Sequence, residues 1–166
     1  MNPTANEEAP KEGASDASPQ PPGLAAKLRA GVAGAVALTA VHELARRLRD
    51  DAPRMDKLGG RALEKISGAL GLDAPRGRPL YLAVLAGDIL SNGAFYAASL
   101  SNGSRRPRLR SVLAGAAAGY AAYKLPPLLG LGKSPRSRRR SNRAMTVAWY
   151  ALGGLVAATL YARRKG

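Results

Sequence analysis

The stretch AMTVAWYALGGLVAATLYA (Ala144–Ala162) decides the fold: 19 uncharged residues bounded by Arg143 and Arg163. A helix rises ~1.5 Å per residue, so ~20 apolar residues cross a ~30 Å hydrocarbon core. A soluble amphipathic helix would carry polar residues along one face, whereas here the charges sit at the ends. Trp149 and Tyr150 lie toward one end and Tyr161 at the other, the positions expected of aromatic belts. This segment reads as a membrane span.

Working back from it, the same alternation recurs. Arg and Lys are absent from Ala30–His42, Leu80–Ser104 and Ser111–Tyr123, and basic residues crowd the joints between these blocks. Leu80–Leu100 is long enough to span and carries one charge, Asp88. Ser111–Leu131 is long enough too, but contains Lys124 and the helix-disrupting pair Pro126-Pro127. The first block spans if Lys27, Arg29, Arg46 and Arg47 snorkel to the interfaces. The expected fold is an all-α integral membrane helical bundle, with four transmembrane helices at about 26–48, 79–100, 111–131 and 144–162 in one membrane domain, 24–166. Residues 1–23, acidic and Pro-rich without apolar periodicity, read as a disordered tail. Such an extension ahead of the first block also argues against a cleaved signal there.

The joint between the first two spans has its own pattern. Asp-Ala-Pro-Arg occurs at Asp51–Arg54 and at Asp73–Arg76, bracketing a segment in which Met55, Leu58, Ala62, Ile66 and Leu70 recur at helical spacing. Lys57, Arg61 and Lys65 form a basic stripe beside that apolar one. The spacing predicts an amphipathic helix at about 53–71, lying in the headgroup region or packed on the span ends.

Composition excludes most chemistry. The chain has 166 residues, no Cys and a single His, which rules out disulfides, thiolate metal sites and a His/Cys zinc cage. No Ser/His/Asp arrangement accompanies a nucleophile elbow. No metal, cofactor or catalysis is expected. The net charge of +15 invites a nucleic-acid partner, but the aromatic residues that could stack on bases lie inside the apolar blocks. After Asp88 there are 14 basic residues and no acidic one. Apart from Lys124, those cations flank spans, so their expected phosphates are anionic lipid headgroups, met by Lys57, Arg61, Lys65, Arg138, Arg139 and Arg140. Fifteen basic residues on the face of the first and third joints stand against ten on the other, which sets both termini outside by the positive-inside tendency. Nineteen Arg against seven Lys, with abundant Ala and Gly, fits a GC-rich bacterial genome and hence a bacterial inner membrane.

Two features carry functional expectations. The first is close packing. Gly31/Ala35, Ala83/Gly87, Gly115/Gly119 and Gly153/Ala157 are small-xxx-small pairs, suited to tight helix contact within the chain or between copies. The second is a polar layer, because ionisable residues inside a membrane are costly and are functional candidates by default. At ~1.5 Å per residue, His42, Glu43 and Lys124 lie roughly 8–10 Å below the face of the first and third joints, and Asp88 roughly 13 Å. Asp88, Asn92, Tyr96 and Ser99 share one face of the second span, while Thr39 stands one turn from Glu43 on the first. The bland expectation is that Asp88–Lys124 and Glu43–Arg46 or Glu43–Arg47 are registry-fixing ion pairs; the sharper one is a solute or proton path.

These features lead first to a small membrane protein acting by helix packing and association, as a scaffold, a homo-oligomer or a subunit of a membrane complex. The alternative is a small transporter or channel built on His42, Glu43, Asp88 and Lys124.

Overall fold

The computed structural model describes residues 23–50, 52–100, 106–132 and 140–163. Within them the chain is all-helical: α1 (Leu24–Leu48), α2 (Met55–Ala69), α3 (Arg78–Ser99), α4 (Pro107–Leu128) and α5 (Arg140–Ala162). Residues 1–22, where the tail was expected, and Arg138 and Arg139 lie outside the described residues.

Three helices, α1, α3 and α5, are long and apolar enough to cross a membrane. The fourth expected span, α4, has matching length but falls short in apolarity. Its Ala, Gly and Tyr residues are weakly apolar, and Lys124 and two prolines dilute it further. The boundaries also move. Pro79 and Pro107 stand in the first turns of α3 and α4, where a missing N–H costs no helical hydrogen bond, so α4 starts inside the arginine-rich joint rather than after it. Pro126 and Pro127 do not break α4, because they fall in its last turn. The turn closes instead through Leu131 N–H to Pro126 O at 2.9 Å and Gly130 N–H to Pro127 O at 3.3 Å. That closure needs Gly130 at φ +72°, a left-handed conformation natural to glycine. Residues of α2 end in the same way around Gly71.

The long helices run antiparallel in the packing order α3–α1–α5–α4. Glycine sets how closely they approach. A Cβ on Gly31 would collide with the Gly93 carbonyl of α3, and one on Gly115 with the Tyr150 carbonyl of α5. Gly119 lies against Val147 and Thr146, Gly153 against the Tyr96 ring, and Gly154 against the Ser111 carbonyl. Gly34 of α1, outside the small-residue pairs named from sequence, packs on Gly153 and Ala157. Ala35 is wholly buried. Gly87 behaves differently: it is exposed and nothing lies near its Cβ position.

Inside and outside are reversed relative to a water-soluble bundle. The interior holds Ala30, Ala35, Ala157, Ala158, Ser111, Asn142, Thr146 and the rings of Tyr96, Tyr150 and Tyr161. Leu38, Leu58 and Leu100 are also buried, but many large aliphatic side chains point out, among them Val32, Val36, Leu90, Leu113, Leu152 and Leu160. Exposed apolar side chains on helices of this length and apolarity are what a hydrocarbon surrounding would cover. The burial of Tyr150 and Tyr161 corrects their expected place in aromatic belts. The glycines opposite leave room for Tyr150 in the bundle, and Tyr161 packs among Ala30, Ala158 and Leu100.

Helix α2 crosses the end of the bundle where α1 and α4 finish and α3 begins. Gly59 lies against Val84 and Gly60 near Leu80. Of the basic stripe, Lys65 Nζ donates to Leu129 O at 2.6 Å and Arg61 Nη1 to Leu131 O at 3.1 Å. Both carbonyls sit at the C-terminal end of α4, where the helix dipole favours cations. Two residues expected to meet lipid headgroups thus also tie α2 to α4, while both remain exposed. Lys57 is exposed.

Candidate functional site

α3 and α4 approach at one end, where the Ser99 and Ser111 hydroxyls are 3.0 Å apart. Toward the other end a half-open pocket of about 440 Å³ separates them. α1 and α5 contribute its inner wall, with Thr39, His42 and Tyr150, and α2 contributes Leu58, Ala62, Leu63 and Ile66. Most of the lining is apolar. The apolar stripe of α2 therefore faces this pocket and α3, with the exception of Leu70, which is exposed.

The antiparallel register of α1 and α3 builds the polar part. Where Gly31 meets Gly93, Thr39 meets Asp88, and Glu43 meets Tyr81. Thr39 Oγ1 donates to Asp88 Oδ2 at 3.1 Å, and Asn92 Nδ2, one turn along α3, donates to Oδ1 at 2.8 Å. The rest of the polar face of α3 turns inward as its spacing predicts. Tyr96 Oη donates to Tyr150 O at 2.8 Å, and Ser99 bonds Ser111.

His42 stacks edge-on against Trp149, with ring centroids 5.0 Å apart, and lies 6.0 Å from Tyr150. Its Nε2 is buried with no hydrogen-bond partner among the described residues. A buried unsatisfied nitrogen is costly and calls for explanation.

At the pocket mouth two ion pairs adjoin. Arg46 grips Glu43 with two of its nitrogens, at 3.2 Å from Nε and 2.5 Å from Nη2. Arg54 holds Asp56 in the same manner, at 3.0 and 2.9 Å. Burial pushes Asp56 up, but the Arg54 hydrogen bonds and charge, the Lys57 amide and the Arg46 charge together hold its carboxyl below the ordinary range.

The structure thus brings together His42, Glu43, Asp88 and Asn92 and forms the Glu43–Arg46 pair. It does not form the expected Asp88–Lys124 pair. Lys124 is exposed, its Nζ 5.8 Å from the ring centres of both Tyr120 and Tyr123. Asp88 meets α1 rather than α4, because α3 packs on α1 over its length and touches α4 sparsely. Similar height along the helices does not mean similar position around the bundle axis.

Tyr81, Ser91 and the Arg54–Asp56 pair line or border the pocket without having been expected there. The signal for Tyr81 was present but unusable: it faces Glu43 only once the α1–α3 register is known.

Comparison with family models, characterised proteins and solved structures returns no match.

Proposed function

We propose that the chain is a multi-pass membrane protein that takes a small solute into the pocket between α3 and α4, as a carrier or transporter. In this reading α4 completes a four-span bundle, shielded by α5 on its inner side. α2 lies at the bilayer surface over the pocket, on the cytoplasmic side by the excess of basic residues there. The bacterial inner membrane is the membrane we favour, on composition. The observation that carries the function is a largely apolar pocket holding an acidic residue and an unsatisfied histidine. A well-formed apolar pocket with a few convergent polar groups is where a ligand is best accommodated.

The test uses Gly87, which lines the pocket with open space at its Cβ position. Gly87→Leu should leave the protein folded and abolish saturable uptake of small solutes into proteoliposomes. Uptake that is unaffected by this variant, or no uptake or binding of any solute by the native chain, would count against a pocket function.

A second reading is association with a membrane partner or another copy. Its support is the outer side of α3, where Leu82, Leu90 and Phe95 are exposed. Against it, Gly31, Gly115, Gly119 and Gly153, the residues that made association attractive, have their contacts inside the chain. Recovery of a defined oligomer or a constant companion protein in mild detergent, with no solute effect, would favour this reading.

A further inference from the structure

We propose that the occupant of the pocket is a hydrophobic organic cation: a protonated amine carried on a compact apolar body. This rests on the solute-binding reading above and names the class of solute.

The charges around the pocket identify it. Glu43 is held by Nε and Nη2 of Arg46, and Asp56 by Nε and Nη2 of Arg54. Each of these acids has its own cation. Asp88 has none among the described residues: there its oxygens accept from the neutral donors Thr39 and Asn92, at 3.1 and 2.8 Å. A carboxylate oxygen has two acceptor sites, so both oxygens keep capacity for a further donor. Lys124, the lysine at similar depth, points its ammonium over Tyr120 and Tyr123 instead. An ionised carboxylate in a low-dielectric setting is costly unless a counter-charge reaches it. The half-open pocket is the route by which one can arrive.

The walls restrict what that counter-charge is attached to. A small inorganic cation wants a shell of about six oxygens. Here Leu58, Leu63, Ile66 and Val84 face the space instead, and no metal-binding group of His, Asp and Glu forms among the described residues. An anion would meet Asp88 and find Arg46, the one Arg or Lys in the lining among the described residues, already engaged by Glu43. A neutral solute could at most donate a hydrogen bond to Asp88 and would bring it no counter-charge. An ammonium group on an apolar body satisfies both parts at once, its charge at Asp88 and its body along the α2 and α3 aliphatics. Tyr81 and Tyr150 also line the space, and aromatic faces attract cations. A volume of about 440 Å³ falls in the range of small-molecule sites and accommodates a single-ring amine.

The experiment compares three probes of like shape in nanodiscs of zwitterionic lipid: 2-phenylethylammonium, 3-phenylpropan-1-ol and 3-phenylpropanoate. Binding is followed by equilibrium dialysis and by the emission of Trp149, the single tryptophan, which stands against His42 beside the pocket. Empty nanodiscs supply the partitioning background. The cation should bind saturably, at least tenfold tighter than the alcohol and the anion. Asp88→Asn should reduce the cation to the level of the alcohol, while Asp88→Glu should keep the preference; unfolding midpoints check that both variants are folded. The native protein's cation-to-alcohol ratio is diagnostic even if a variant fails to fold. Equal binding of cation and alcohol, tighter binding of the anion, or a cation preference that survives Asp88→Asn would overturn the charge assignment and leave the pocket function standing. Binding of none of the three probes, together with no effect of Gly87→Leu on any uptake, would overturn the pocket function itself.

Discussion

The two sides of this bundle are made of much the same residues and do opposite things. Along α1–α5–α4, glycines bring backbones together until a single added carbon would strike a carbonyl, as at Gly34, Gly115 and Gly154. Between α3 and α4, Gly87 meets nothing, and a pocket opens instead of a seam. A small residue permits close approach but does not cause it. In a bilayer, where lipid is as apolar as leucine, approach is driven by the fit and polar contacts of the whole facing surface. α5 offers α4 a matched surface; α3 and α4 are instead spanned by α2, whose Arg61 and Lys65 reach the end of α4.

The sharpest challenge to this contrast is a matched pair of substitutions. Gly115→Leu forces a side chain into the Tyr150 backbone and should cost about 1–3 kcal/mol or more, or prevent recovery of folded protein. Gly87→Leu should stay within about 0.5 kcal/mol of the native chain. Thermal unfolding in detergent reads both, and equal losses would erase the distinction between seam and pocket.

Next in size is Tyr96→Phe, which removes the buried hydroxyl donating to Tyr150 O and should lower stability by about 0.5–1.5 kcal/mol. The double variant Arg61→Ala/Lys65→Ala should cost about 1 kcal/mol or less, since both donors are exposed. It should also raise the maleimide reactivity of a cysteine placed at pocket residue Ser91 several-fold. The chain has no native Cys, so the label reports that site alone. Unchanged reactivity would mean that α2 does not depend on these two contacts to cover the pocket.

The smallest expected effect is acid sensitivity at the pocket mouth. Asp56 is held below its ordinary range in the folded protein, so its pair with Arg54 stabilises above the unfolded value near ~4. That contribution, about 1 kcal/mol or less, is lost as pH falls through the lower folded-state value. Asp56→Asn should flatten this part of the stability profile below about pH 4. An identical acid profile in the variant would assign the loss elsewhere.

How far the sequence could be read differed by element. The block Ala144–Ala162 and the inward polar face of α3 followed from length, end charges and three- or four-residue spacing, all properties of one helix at a time. Calling α4 a span rested on its length, whereas crossing a membrane also requires apolarity, which its Ala, Gly, Tyr and Lys124 lower. Tyr150 and Tyr161 were read by their position along the helix, but which way a ring faces depends on what is small opposite it. Lys124 was paired with Asp88 by depth alone. Depth fixes a residue's height in the bilayer and leaves its angle around the bundle open.

By itself, then, the sequence pointed to a helical bundle with four long segments, three of which the structure shows as helices long and apolar enough to cross a membrane, and to His42, Glu43, Asp88 and Lys124 lying near one another in depth. Each of these is fixed by hydrogen bonding and hydrophobicity within a single helix. Only the tertiary structure decided that α3 packs on α1 rather than on α4. That choice gave Asp88 the neutral partner Thr39 beside Asn92 of its own helix and left Lys124 outward, with a pocket beneath α2. The reason is that helix pairing among Ala- and Gly-rich surfaces depends on the fit of many small contacts at once, and no single residue in the sequence carries that information.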